Sequence, residues 1–339
     1  MAVYYCDQSI GTASGSGTIG DPWGTIDHAL ASITRTASVT GDALHVRGDS
    51  VRSTSLTLPS GSNRFVIRGY NAAAGDLIFD PWSPITLPEI DFGSAAVMAG
   101  TPAKVTFANL RIATTGNFYL SSNYNNVVRC DLSCSRLLVG GFSPIVRQCK
   151  IRGLATGVVL GYSHVEVIAN DIVTSSGYGI YLNGGGGNVI RNRVTATTEA
   201  VYVNGASVPA KIHHNSLKGA TGIRVVSCGG SLIIGNAIDA TTAISETGSV
   251  ESLGEVSGNR WYATTGLSAS NTPEIEDDNA SLIAAPFTDP ANGDWTPSDE
   301  LAAIVGTDGL TPGAIQATAT GGGVAAVHPL SSRSSHPVN

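Results

Sequence analysis

Charge is scarce in this chain of 339 residues: Asp, Glu, Lys and Arg make up 13% of it, about half the usual share. The 19 basic residues are outnumbered by 26 acidic ones. No basic run exists, so the footprint of a nucleic-acid binder is missing. No apolar run approaches the roughly 20 residues of a membrane-spanning helix, which excludes membrane insertion by helices. Cysteine is sparse, with five residues at Cys6, Cys130, Cys134, Cys149 and Cys228. An odd, scattered set gives neither a disulfide framework nor a zinc site, and no metal or cofactor is expected. The opening Met1–Ser9 has no basic and apolar segments of a secretory leader. Synthesis in a cytoplasm is the expectation, with exit only as part of an assembly.

Glycine, by contrast, is abundant at 41 residues, without the three-residue period of collagen. At 42% hydrophobic residues the chain has enough apolar surface for a core, which excludes disorder throughout. The glycine run 184–187 is followed by neither Lys-Ser/Thr nor a helix, so it is no phosphate loop. It reads as a flexible turn.

The main signal is a repeat. VIANDI at 167–172 recurs as VIRNRV at 189–194, IHHNSL at 212–217, IIGNAI at 233–238 and VSGNRW at 256–261. The conserved frame is apolar, two variable residues, Asn, one variable residue, apolar. Asn170, Asn192, Asn215, Asn236 and Asn259 are spaced by 22, 23, 21 and 23 residues. Earlier copies, VRQCKI at 146–151 and VVRCDL at 127–132, put Cys149 and Cys130 at the Asn position, and VTFANL at 105–110 puts Ala108 there. A second element follows with the same period: GVVL at 157–160, GIYL at 179–182, AVYV at 200–203 and GIRV at 222–225. HVRGD at 45–49 and VIRGY at 66–70 extend the repeat towards the N-terminus.

A period near 22 with β-branched triplets and no helical periodicity implies one coil of a parallel β-solenoid per repeat. One coil cannot bury its own apolar face, so coils stack at about 4.8 Å. The asparagines then form a column, hydrogen-bonded amide to amide, at a bend where Asn tolerates left-handed backbone. Thr25–Ile33 predicts a short helix with Ile26, Leu30 and Ile33 on one face, a lid for the open N-terminal end. The organisation expected is a cap at 1–40, a solenoid at 41–269, a C-terminal cap at 270–316 using Phe287 and Trp295, and a tail at 317–339. That tail reads as flexible or held by an assembly.

The frame resembles the right-handed parallel β-helix repeat proteins of the pectate-lyase-like superfamily. VYYCD at 3–7, DPWGTIDHAL at 21–30, GDWTPSDEL at 293–301 and TPGAIQ at 311–316 are similar to the ends of such chains. The resemblance implies an all-β, right-handed fold with an N-terminal capping helix. It also implies a choice between a particle component of bacteriophage type, as a trimer, and an enzyme acting on polysaccharide.

Alternation places Tyr119, Leu138, Val159, Tyr181, Tyr202 and Arg224 in one outward stripe. Val128, Ile168, Ile190 and Ile234 form a second outward row, interrupted by Arg147 and His213. Covering loops, a subunit interface and a sugar-stacking platform each account for such rows. Asp131, Lys150, Asp171 and Arg193 alternate in sign coil by coil, as stacked ion pairs do. His213 and His214 are expected on opposite sides of a strand. Glycoside hydrolysis needs two carboxylates roughly 5–10 Å apart on one face. Asp131 and Asp171 lie two coils apart with Lys150 between, and Glu246, Glu251 and Glu255 are a second, weaker cluster. The acidic motifs of polygalacturonases and pectate lyases are absent. The expectation is therefore a non-enzymatic structural protein of a virion, a capsid decoration, spike or tail fibre. It would be homo-oligomeric, in contact with other virion proteins, with a host-surface glycan as a further ligand. A polysaccharide lyase or hydrolase, and a sugar-binding bacterial surface protein, are the alternatives.

Overall fold

A computed structural model describes residues 2–12, 14–34, 41–59, 61, 63–71, 86–99, 104–153, 155–161, 164–205, 208–248, 253–292 and 294–303. The expected tail at 317–339 and Glu251 lie outside them. Short parallel strands wind into an all-β solenoid, and each regular coil contributes three. In one coil these are Val165–Ile168, Asp171–Thr174 and Ile180–Asn183. They belong to three rows, called here the first, second and third faces. The first face is a 12-stranded sheet. The other two merge into one 18-stranded sheet, because Ser216–Val226 and Ala237–Thr247 run unbroken round the corner. Twelve strands at about 4.8 Å make a stack roughly 50 Å long.

The apolar triplets of the repeat face inward, since alternate residues of a strand point to opposite sides. On the third face Phe118, Leu137, Val158, Ile180, Val201, Ile223 and Ile244 lie one above another in register. All seven are fully buried, at about 1.5–3 kcal/mol each. The stack begins at Val3–Asp7, which pairs with Asp42–Arg47 across 40 residues. The helix Ile26–Ser32 is looped out between them, and Thr25 caps it by accepting from the His28 amide. Ile26, Leu30 and Ile33 all face the core. The two RG dipeptides do not align: Val46 pairs with Gly69 and Leu44 with Ile67. The shift from the apparent repeat is two residues, which keeps every inward residue inward.

Asp7 is buried and held by Arg47 and the Ser9 hydroxyl and amide. Burial works to raise its pKa, but these hydrogen bonds outweigh it and hold the carboxyl below the ordinary value of 3.8. A depressed folded-state pKa gives stability that is present above the unfolded pKa and is lost as pH falls through the folded one. Hydrogen exchange at Val3–Asp7 should therefore be constant from pH 7 to 5 after intrinsic correction, and accelerate below about 3.8. In Asp7→Asn that acid step should vanish.

All five cysteines are buried and free. Burial pushes the Cys6 and Cys134 thiols up to about 12 and raises Cys130 well above its usual value. Thiols kept protonated are poor nucleophiles. Iodoacetamide should label none of the five in the native protein and all five after unfolding, read by intact mass.

The described part of the C-terminal segment, to residue 303, does not sit as a lid on the end of the stack. The hairpin Phe287–Asp289/Asp294–Pro297 folds back along the flank. Phe287, Trp295, Leu301 and Leu282 pack on Ala237, and the Pro290 carbonyl accepts from Thr195 Oγ1 at 3.2 Å. The cause is local: Ser216 and Ala237 are small residues between Arg193 and Arg260 in the same outward column, and the aromatic cluster packs on Ala237 there.

Candidate functional site

The corner between first and second faces is structural. Asn170 Nδ2 donates to Asn192 Oδ1 at 2.9 Å, Asn192 to Asn215 at 3.0 Å, Asn215 to Asn236 at 3.0 Å and Asn236 to Asn259 at 3.0 Å. Asn279 adds a rung, accepting from Asn259 at 3.0 Å. Cys149 joins from the other end, its amide donating to Asn170 Oδ1 at 2.8 Å. The bend itself is made one residue earlier than the sequence analysis expects. Arg129, Gln148, Ala169, Arg191 and His214 have φ between 53° and 56°, Gly235 and Gly258 take the same place in later coils, and the five column asparagines are not left-handed. Asn is selected for the column because its amide both donates and accepts. Ala108 is not in this column: it pairs with Val128, and Leu110 takes the inward place. His214 is in the bend, not on a strand, and its ring lies 6.4 Å from that of His213.

The third face carries the outward stripe. Register aligns Tyr119, Leu138, Val159, Tyr181, Tyr202 and Arg224 in that order. Tyr119 is exposed, and the other five are half-buried. The rings of Tyr181 and Tyr202 are parallel to within 8° with centroids 5.0 Å apart. Tyr178 tilts against both, at 5.2 and 5.0 Å. The Arg224 guanidinium lies over Tyr202 at 5.5 Å and pairs with Glu199 at 3.1 Å. Asn204 Nδ2 donates to the Tyr181 hydroxyl at 3.3 Å. Burial raises the Tyr202 phenol pKa, with Arg224 opposing, so the hydroxyl stays a neutral donor. On the side away from Tyr202, Tyr181 meets the coil of Val159, and its only ring contact besides Tyr202 among the described residues is Tyr178. The stripe is thus a ledge: a short aliphatic step, then stacked rings with hydroxyls and an amide at their edge, and an ion pair behind them. Tyr178, Glu199 and Asn204 also belong to this ledge, though the repeat does not mark them. Tyr178 sits in a turn outside the period, and Asn204 shows only as the register partner of Asn183.

The other stripes do not converge on a site. Val128, Arg147, Ile168, Ile190, His213 and Ile234 are aligned on the first face. On the second face Asp131, Lys150, Asp171 and Arg193 are aligned, but Asp171 pairs with Arg152, at 2.6 Å, from the next column. Asp131 lies between Arg111 and Lys150 in register, and Asp171 between Lys150 and Arg193. Each carboxylate thus faces cations and not a second acid. Glu246 points inward and accepts from the Ser270 and Asn271 amides at 2.8 and 3.2 Å. Glu255, on a different sheet, accepts from Ser257 Oγ at 2.5 Å. These two glutamates are not a cluster.

The family described as periplasmic copper-binding protein (NosD) matches residues 103–266. A complex of XylC with xylose has a similar structure, at TM-score 0.56 and 10% identity, covering 79% of this chain and 69% of that one. Pectate lyase Pel9A is similar at TM-score 0.54 and 13% identity, covering 94% of this chain and 97% of that one. At these identities the likeness is one of fold: the chain is a parallel β-helix. No curated protein sequence matches it. Copper finds no fitting donor set among the described residues. No group of three or more His, Cys, Asp or Glu converges there, and the five thiols are sealed in the interior.

Proposed function

We propose that this chain is a carbohydrate-binding β-helix that holds a sugar ring against Tyr181 without cleaving the chain. The observation that carries this is the parallel Tyr181–Tyr202 pair, braced by Tyr178 and by Arg224 and Glu199 behind Tyr202, with the Asn204 amide at the Tyr181 hydroxyl. Aromatic faces take the apolar C–H side of a ring, while hydroxyl, amide and charged groups at the edge hydrogen-bond its oxygens. The xylose complex and the pectate lyase of the same fold support a sugar as ligand. The opposed charges on the second face support binding over hydrolysis.

The test is a glycan array of neutral and acidic polysaccharides, followed by titration of the best hit. Tyr181→Ala with Tyr202→Ala should lower affinity at least about tenfold, about 1.4 kcal/mol, and leave far-ultraviolet circular dichroism unchanged. Full affinity in the double variant contradicts the reading.

A second reading, that copies pack side by side as a structural component of a particle, has support in the row Val128, Ile168, Ile190 and Ile234. Light scattering should then give a mass several times 34.6 kDa, reduced by Ile168→Asp with Ile190→Asp. A stable monomer in the unsubstituted protein contradicts it.

A further inference from the structure

A separate trough opens round the corner from the tyrosine ledge. Thr195, Lys218, Asp239 and Tyr262 are aligned on four successive coils of the second face. The corner residues that follow them are small, so the surface drops into a cavity of about 650 Å³. Two of the coils pass this corner as continuous strands with no loop to fill the space. Gly219 makes the tight passage possible: a Cβ there would come within 2.9 Å of the Thr198 carbonyl oxygen. Leu282 closes one side, and the hairpin is tied to Thr195 beside it.

We infer that this trough is a second saccharide site, taking an extended neutral oligosaccharide laid along the solenoid axis. Three features select that ligand. Lys218 and Asp239 are paired at 3.1 Å, so the two charges in the trough cancel and neither draws an ionic ligand. Thr197, Thr241 and Thr264, on three of the four coils, line the trough with hydroxyls suited to a polyhydroxyl chain. Tyr262, 44% exposed, offers a ring at one end, where aromatics anchor sugars. Coils repeat at about 4.8 Å, close to the advance of one sugar ring in an extended chain, so successive rings come level with successive coils. Four coils span about 15 Å, enough for three to four rings.

Calorimetric titration with cello-, xylo- and manno-oligosaccharides of two to six rings tests this, with oligogalacturonates as the acidic series. At least one neutral series should bind, with affinity rising to about four rings and then level. Tyr262→Ala should weaken it about tenfold, and Thr241→Trp, which fills the trough from an exposed position, should abolish it. Tyr181→Ala with Tyr202→Ala should leave this binding in place, which separates the trough from the ledge. The inference is overturned if no neutral series binds, if the acidic series binds more tightly, or if both trough variants retain full affinity.

Discussion

Asn192→Leu should destabilise the protein by about 3–5 kcal/mol. Leucine matches the volume but removes both functions of the amide. Asn192 Oδ1 accepts from the Asn170 backbone amide at 3.0 Å and from Asn170 Nδ2 at 2.9 Å. Its Nδ2 donates to the Val167 carbonyl at 2.8 Å and to Asn215 Oδ1 at 3.0 Å. All of these groups are fully buried. A buried donor left without an acceptor costs about 1–3 kcal/mol, and here a backbone N–H loses its acceptor while the amide column is cut. Because each coil of a solenoid contacts only its neighbours, exchange protection should fall first at 165–172 and 189–194, and last in the N-terminal coils. Urea unfolding gives the magnitude; a loss under about 1 kcal/mol would mean that the column contributes little.

Gly186→Ala should cost about 3 kcal/mol, although the run 184–187 reads as a pliable turn. Gly186 is wedged between coils. Its carbonyl accepts from the His164 amide at 3.0 Å, and a Cβ would lie 1.7 Å from the Val208 carbonyl oxygen of the next coil. No rotamer relieves that contact, so the backbone of two coils must separate; overpacking of this kind costs about 1–3 kcal/mol and at times more. Gly184→Ala is the contrast. Gly184 has φ of 77° with nothing within 4 Å of a Cβ, so only left-handed strain of about 1–2 kcal/mol applies. Equal effects at the two positions would show that the run is a loop after all.

The architecture is legible because every coil solves the same problem. Burial demands an apolar residue at each inward place, and the column demands an amide at each corner, so both leave a period in the sequence. The bend leaves none. The left-handed place holds Asn109, Gly235, Gly258 and Asp278, which suit it, but also Arg129, Gln148, Ala169, Arg191 and His214, which do not, so no single residue type marks it. The tyrosine stripe is readable from strand parity, since Tyr181 and Tyr202 occupy equivalent places of GIYL and AVYV. Tyr178 is not, because turns vary in length and break the count. Phe287 and Trp295 are recognisable as covering residues, whereas the surface they cover depends on Ser216 and Ala237, far away in sequence. The trough is invisible for a similar reason: it is made by the smallness of residues on four coils and by a hairpin that returns to them.

The proposed function is sugar binding at the outer faces of this β-helix without cleavage. Incubating the protein with its best array ligand, then recovering the glycan and determining its chain length and ends by mass spectrometry, tests both halves at once. Glycan should be retained on the protein and returned at its original length. New reducing or unsaturated ends, or a glycan that never stays with the protein, would contradict that function.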